Sequence, residues 1–155
     1  MVTDTMAPRR ELALKFGAEA AFDPPGSEFA EYAKSITEGR GADLVLVAAS
    51  AKGIVEQAVA CSRPGARILL FAQTSHQERV ELSGASICVD ERVLLGSYSA
   101  SVDVQKESAD LVFSGALPVA ELISHRYPLS QINFGIERAL HPDEGSLKIV
   151  VSPQQ

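Results

Sequence analysis

Cysteine is scarce in this sequence. Cys61 and Cys88 are the only two, so no disulfide framework is available. Neither has a Cys-x-x-Cys partner, and the three histidines are scattered at positions 76, 125 and 141. The sequence therefore offers no zinc-ligand set and no metal site is expected. Clustered positive charge is missing too. Fourteen Lys and Arg stand against twenty Asp and Glu, a net charge of −6. Binding nucleic acid or an anionic membrane surface requires a basic patch, so neither is an expected partner. No run approaches the roughly 18 apolar residues of a membrane span. Met1-Val2-Thr3-Asp4 does not open a signal peptide. There is no internal repeat, low-complexity tract or linker. These absences predict a cytoplasmic protein, and 155 residues at 46% hydrophobic predict one domain with one core.

The stretch from Glu38 to Gln73 carries the clearest pattern. Gly39-Arg40-Gly41-Ala42-Asp43 leads into the apolar run Leu44 to Ala49. A helical segment follows from Gly53 to Ser62, with Ile54, Val55, Ala58 and Val59 spaced to lie on one side. Pro64-Gly65 breaks the chain, and a second apolar run spans Ala66 to Ala72. Apolar runs without polar alternation predict parallel strands covered on both faces. The unit reads as strand, helix, strand.

The flanking chain repeats the alternation. Met1 to Asp4 is β-like. A helix is expected from Pro8 to about Phe16; Ala7 is a poor N-cap, so the helix is expected to fray or to begin earlier. Ala20 to Asp23 is a strand candidate stopped by Pro24-Pro25-Gly26. Ser27 is a natural N-cap for a helix in which Phe29, Tyr32, Ala33 and Ile36 fall at i, i+3, i+4 and i+7. Val80 to Leu82 reads as a short strand, Ile87 to Val89 as a short apolar piece, and Arg92 to Tyr98 as a third good parallel strand. Ser101 is placed to cap a helix ending at Gly115, with Val104, Leu111 and Val112 inward. Leu122 to Tyr127 and Leu147 to Val151 are strand candidates. Ser130 is placed to cap the helix between them. This alternation predicts α/β architecture.

Six motifs in one order then carry a resemblance. The first is Thr3-Asp4 with Pro8-Arg9, Ala13 and Phe16-Gly17-Ala18; then come Gly39-Arg40-Gly41-Ala42-Asp43 and Arg63-Pro64-Gly65-Ala66-Arg67. Gly96-Ser97-Tyr98-Ser99-Ala100, Ile123 to Leu129 and Gly145 to Val151 complete them. Together they resemble the C-terminal part of zinc-type medium-chain alcohol and polyol dehydrogenases, such as sorbitol and threonine dehydrogenases. The resemblance implies a Rossmann-like parallel sheet with helices on both faces and strand order 3-2-1-4-5-6. It also implies an NAD site. Asp4 falls where the family has an acid on the ribose hydroxyls, which would repel a 2′-phosphate and favour NAD over NADP. Arg9 falls near the adenosine ribose, and Ala48, Ala49 and Ser50 beside the adenosine. Ala72 and Gln73 fall beside the nicotinamide, Leu95 and Gly96 at the carboxamide, and Lys148 toward the pyrophosphate. Family members dimerise through the edge strand equivalent to Arg92–Ser97, which implies a homodimer here.

Other parts of the family pattern have no counterpart. No Gly-x-Gly-x-x-Gly occurs in the sequence, so the main phosphate-binding turn is not represented. The zinc ligands of the family are not represented either. The chain therefore reads as a fragment: a single truncated dinucleotide-binding domain, residues 1–155, missing the first of the usual six strands. Its expected function is the cofactor-binding portion of an NAD-dependent, zinc-containing alcohol or polyol dehydrogenase, inactive alone and without catalytic residues of its own. The alternative is a degraded nucleotide-binding or oligomerising module without catalysis. Loss of the central strand predicts that the strand ending at Asp4 moves next to the 44–49 strand, or that a second copy fills the gap. From the residues alone, Asp4 also reads as a terminal acid, Arg9 and Arg10 as a solvated helix face, and Lys148 as a surface lysine. Cys61 and Cys88 read as structural, His76 as a solvated loop residue, His125 and Arg126 as fixtures of a strand and its turn, and Tyr98 as a packing or loop hydrogen-bonding residue.

Overall fold

The computed structural model describes residues 1–24, 26–98 and 101–153. Pro25 and the Ser99-Ala100 end of the Gly96 motif lie outside the described residues. The described chain holds seven strands, all paired in parallel, and six α-helices. The α/β expectation is met. Two compact units are distinguishable: Met1–Thr5 with Ala13–Ser99, and Met6–Leu12 with Ala100–Gln155.

In the first unit, β1 (Val2–Thr3) pairs with β2 (Ala21–Phe22). Between them in sequence lies α1 (Ala7–Lys15), which begins one residue before Pro8. Helix α2 (Glu28–Ser35) buries Phe29 and Ala33. The Tyr32 ring lies 5.2 Å from that of Phe22, which ties α2 to β2. Ser27 precedes α2, but its side chain makes no capping bond and its backbone is already helical. Ile36 is 51% exposed, because the helix ends at Ser35 and the chain turns away.

The second sheet of this unit runs β3 (Ala42–Val47), β4 (Ser62–Leu70), β5 (Val93–Gly96), in that spatial order. Helix α3 (Ile54–Cys61) joins β3 to β4 and buries Val55, Ala58 and Val59. Val47, Ala58, Val59 and Ile68 form the core, with Val45, Ile54, Leu70, Leu82 and Leu94 packed around them. Neighbours in register share a face: Val45, Ile68 and Leu94 point toward that core. The opposite face carries Leu44, Leu46, Val93 and Leu95, which are 66%, 57%, 43% and 42% exposed. The 44–49 run is therefore covered on one face only, a correction to the reading from its unbroken hydrophobicity. The strand that ends at Asp4 does not move next to this run either. β1 pairs with β2, and among the described residues β3 pairs with β4 alone.

Pro64-Gly65 falls inside β4 instead of breaking before it. Ala42 pairs with Ser62 but Leu44 pairs with Arg67, so the additional residues of β4 bulge out around Pro64 and Gly65. Gly65 takes φ +73° there, and its N–H donates to Asp90 O at 2.7 Å. Arg92, whose side chain is 11% exposed, donates to Ser62 Oγ at 3.0 Å and Ser62 O at 2.9 Å, and pairs with Asp90. These bonds clamp the N-terminal ends of β4 and β5 together. Val80–Leu82 forms no strand, and Ile87 lies in α4 (Gly84–Cys88), where Ser83 Oγ caps Ala85 N–H.

In the second unit, β6 (Ile123–Pro128) pairs with β7 (Lys148–Ser152), and α6 (Ile132–Leu140) packs on both. Contact is made at Gly135: a Cβ there would meet Tyr127 Cδ2 and Val151 Cγ2 at 3.4 Å. Ile132, Ile136 and Leu140 are 40%, 50% and 65% exposed. Ser130 sits in a 3₁₀ turn and does not cap α6; Gln131 holds that position. Helix α5 (Val102–Phe113) is capped as expected, Ser101 Oγ accepting from Asp103 N–H. It buries no residue, so Val104, Leu111 and Val112 are not inward-facing. A polar knot closes the turn before β7. The Ser146 hydroxyl donates to Asp143 Oδ1 at 2.7 Å, Arg138 pairs with Asp143, and Arg9 Nη2 donates to Ser146 O at 3.0 Å.

Two outcomes follow from these junctions. Gly41 is buried with φ +104°, and a Cβ there would sit 2.8 Å from Cys61 O. Gly41→Ala is expected to destabilise the chain by about 1–3 kcal/mol in urea unfolding, from backbone strain and clash together. The Ser146 hydrogen bond, with Arg138 beside it, holds the Asp143 carboxyl below the usual carboxylate range. A lowered carboxylate stabilises fully above its ordinary pKa, near 4, and loses that contribution as pH falls through its lowered value. The thermal midpoint of the natural chain should therefore fall more steeply below about pH 4 than that of Asp143→Asn.

Candidate functional site

Open parallel sheets present their ligand sites outside the carboxyl ends of the strands, where the following loops diverge. Here those ends are Val47, Leu70 and Gly96. Three backbone bonds extend the ladder past β4 and β5. Phe71 and Ala72 N–H both donate to Val47 O, at 3.0 and 2.9 Å, and Ser97 N–H donates to Leu70 O at 3.0 Å. The loops therefore leave the sheet from fixed positions.

Beyond these ends lies an open hollow of about 610 Å³, lined by Leu70, Ala72, Gln73, Thr74, Ser75, His76, Gly96, Ser97 and Tyr98. Leu70 and Gly96 are paired in register and share a face. Because Gly96 has no side chain and nothing lies within 4 Å of where a Cβ would stand, the floor between the two strands stays open. The walls are an amide, four hydroxyls and an imidazole. Such a surface offers hydrogen bonds to a neutral polar group, and no carboxylate, lysine or arginine is among its lining residues.

The structure distributes the expected residues unevenly. Ala72, Gln73 and Gly96 line this one hollow, while Leu95 points to the uncovered face of the sheet, opposite Leu69. Ala48, Ala49 and Ser50 follow β3 directly and are exposed. Asp4 follows β1, its N–H donating to Phe22 O at 3.1 Å. Arg9 and Lys148 belong to the second unit. There Arg9 holds Ser146 O, and the Lys148 carbonyl accepts from Ser124 Oγ at 3.1 Å. His76 and Tyr98, read from the sequence as a solvated loop residue and a packing or loop hydrogen-bonding residue, both reach the hollow. Tyr98 is 82% exposed, so it is not packed. No sequence signal joins them, because they lie on different loops that only the β4–β5 pairing brings together.

Cys61 is buried, donates toward Ala58 O, and has its thiol pKa raised by burial, which makes it inert. Cys88 is exposed. Among the described residues, no group of three or more His, Cys, Asp or Glu is placed to hold a metal ion. The donor set that a catalytic zinc requires is thus not assembled by these residues. No described helix is long and apolar enough to cross a membrane. The second unit has a smaller hollow, about 330 Å³, lined by Tyr127, Phe134, Glu137, Arg138 and His141. It contains none of the expected residues.

Comparison with known proteins places this geometry. An (R,R)-butanediol dehydrogenase from Neisseria gonorrhoeae is 26% identical over 155 residues, covering 99% of this chain and 43% of its own length. A sorbitol dehydrogenase from Bacillus subtilis is 26% identical, covering 100% of this chain and 43% of its own length. The crystal structure of a zinc-binding dehydrogenase from Sinorhizobium meliloti, solved bound to NADP, matches with a TM-score of 0.86 at 27% identity. That match covers 98% of this chain and 44% of the other. An alcohol dehydrogenase from Thermotoga maritima matches with a TM-score of 0.88 at 20% identity, over 99% of this chain and 42% of that one, which shows a shared fold. The chain spans less than half the length of these relatives and corresponds to their C-terminal, cofactor-binding part. With the zinc-binding dehydrogenase sequence model matching residues 1–114, the chain belongs to that family.

Proposed function

We propose that this chain is the nicotinamide-cofactor-binding portion of an alcohol or polyol dehydrogenase and does not oxidise alcohols by itself. The observation that carries the reading is the hollow at the carboxyl ends of β4 and β5, with Ala72, Gln73 and Gly96 around it. An open floor at Gly96 accepts a flat ring, and Gln73 with the loop hydroxyls supplies partners for a carboxamide. The bound cofactor would supply hydride acceptance. The chain's own part is to orient that ring and to exclude water from one of its faces. Asp4, at the end of β1, favours NAD over NADP, since a carboxylate accepts ribose hydroxyls and repels a 2′-phosphate. No step is assigned to zinc, for which these residues assemble no ligand set.

Calorimetry of the purified chain with NADH and with ADP-ribose tests this. Both are expected to bind. Gly96→Phe should weaken NADH by about tenfold or more while leaving ADP-ribose unchanged, because it fills only the nicotinamide end. Binding of ADP-ribose with no preference for NADH would favour a degraded nucleotide-binding module. Absence of both, or zinc-dependent alcohol oxidation by the chain alone, would sink the proposal.

The same reading includes a homodimer through the Arg92–Ser97 edge. Among the described residues β5 pairs with β4 on one side, and Val93 and Leu95 are exposed along it. An apolar edge of this kind pairs readily with another strand. Sedimentation should show a dimer that Leu95→Lys shifts toward monomer. A natural chain that stays monomeric at high concentration would remove the proposal.

A further inference from the structure

The loop that walls the hollow runs from Phe71 to Ser83 without helix or strand. Its tip is a local turn: Glu78 N–H donates to Ser75 O at 3.0 Å and Gln77 N–H to Ser75 Oγ at 3.2 Å. Those bonds shape the turn but do not attach it to the sheet. Attachment comes at the far end. Leu82 packs against the Val47, Ala58, Val59 and Ile68 core. One residue earlier, Glu81 N–H donates to Glu56 Oε1 at 3.0 Å, a bond between positions 25 residues apart in sequence.

Glu56 stands in the first turn of α3, which is itself fixed by its buried Val55, Ala58 and Val59. The bond from the Glu81 backbone, joined by Glu56's own N–H, holds its carboxyl below the usual carboxylate range. Glu56 is therefore an ionised acceptor at neutral pH, and a bond to an ionised acceptor is stronger than one between neutral groups. With that bond in place, the free span of the loop ends at Val80.

We propose that Glu56 is a positioning residue for the cofactor site. Its carboxylate pins Glu81 and thereby sets where Thr74, Ser75 and His76 stand along the hollow. The word cofactor rests on the function proposed above; the tether itself rests on geometry alone. Glu56 is not among the residues that line the hollow, and its bond is to the Glu81 backbone, so it acts through the loop backbone.

Amide hydrogen exchange and nitrogen relaxation on the full chain, with Glu56→Ala and Glu56→Gln, test the tether without any nucleotide. In Glu56→Ala the Glu81 amide should exchange about tenfold faster, the amount expected from losing one such bond. The order parameters of residues 74–80 should fall, while the Val59 and Ile68 amides keep their rates. Glutamine retains an acceptor oxygen, so Glu56→Gln should restore Glu81 to within about threefold of the natural rate. Three results would overturn the proposal: an unchanged Glu81 rate in Glu56→Ala, an equal rise at Ile68, which would mean general loosening, or no rescue by Gln. A failed NADH titration would remove the cofactor reading and leave the exchange result readable.

Discussion

The pairing of β4 with both of its neighbours is the constraint on which the first unit depends. Among the described residues it is the one strand with partners on both edges. Ala66 and Ile68 on it are fully buried. Ile68 gathers Val45 and Leu94 in register and meets Ala58 and Val59 of α3 behind. Each buried side chain of this size contributes about 1.5–3 kcal/mol by leaving water. A β-branched residue at full burial also fixes register, since a slip by one residue would turn it to the open face.

The two ends of this sheet are built differently. At the amino ends of β4 and β5, Arg92, Asp90, Ser62 and Gly65 close a dense set of backbone and ionic bonds, and Gly41 lets β3 approach the end of α3. At the carboxyl ends only short backbone ladders persist, and the loops spread around a solvent-open hollow. Rigid amino ends and divergent carboxyl ends put loop side chains at fixed positions without filling the space between them. That arrangement suits a binding site on a parallel sheet.

The uncovered face of β3 and β5 carries the other physical lesson. Parallel strands are normally buried on both faces, yet Leu44 and Leu46 are exposed here. Helix α5 and the Ile132, Ile136 and Leu140 stripe of α6 show the same condition in the second unit. The chain spans under half the length of its relatives and shares their fold across its own residues.

By itself the sequence determined the alternation of strands and helices, the parallel pairing and the family. It also determined which side of α3 is buried, because Val55, Ala58 and Val59 fall at the spacing of one helix face. Hydrophobic runs such as Leu44–Ala49 state that a strand is apolar, but not whether anything in the same chain covers it. The cap read at Ser101 forms in the structure and one not read forms at Ser83, while Ser27 makes no capping bond because its backbone is already helical and Ser130 lies within a 3₁₀ turn. Only the tertiary structure decided that β1 stays with β2, that Pro64-Gly65 becomes a bulge inside β4, and that His76 and Tyr98 share a hollow with Gly96. It alone decided that Glu56 reaches Glu81. Those outcomes join residues far apart in the chain, and local periodicity has no term for a contact made across a sheet.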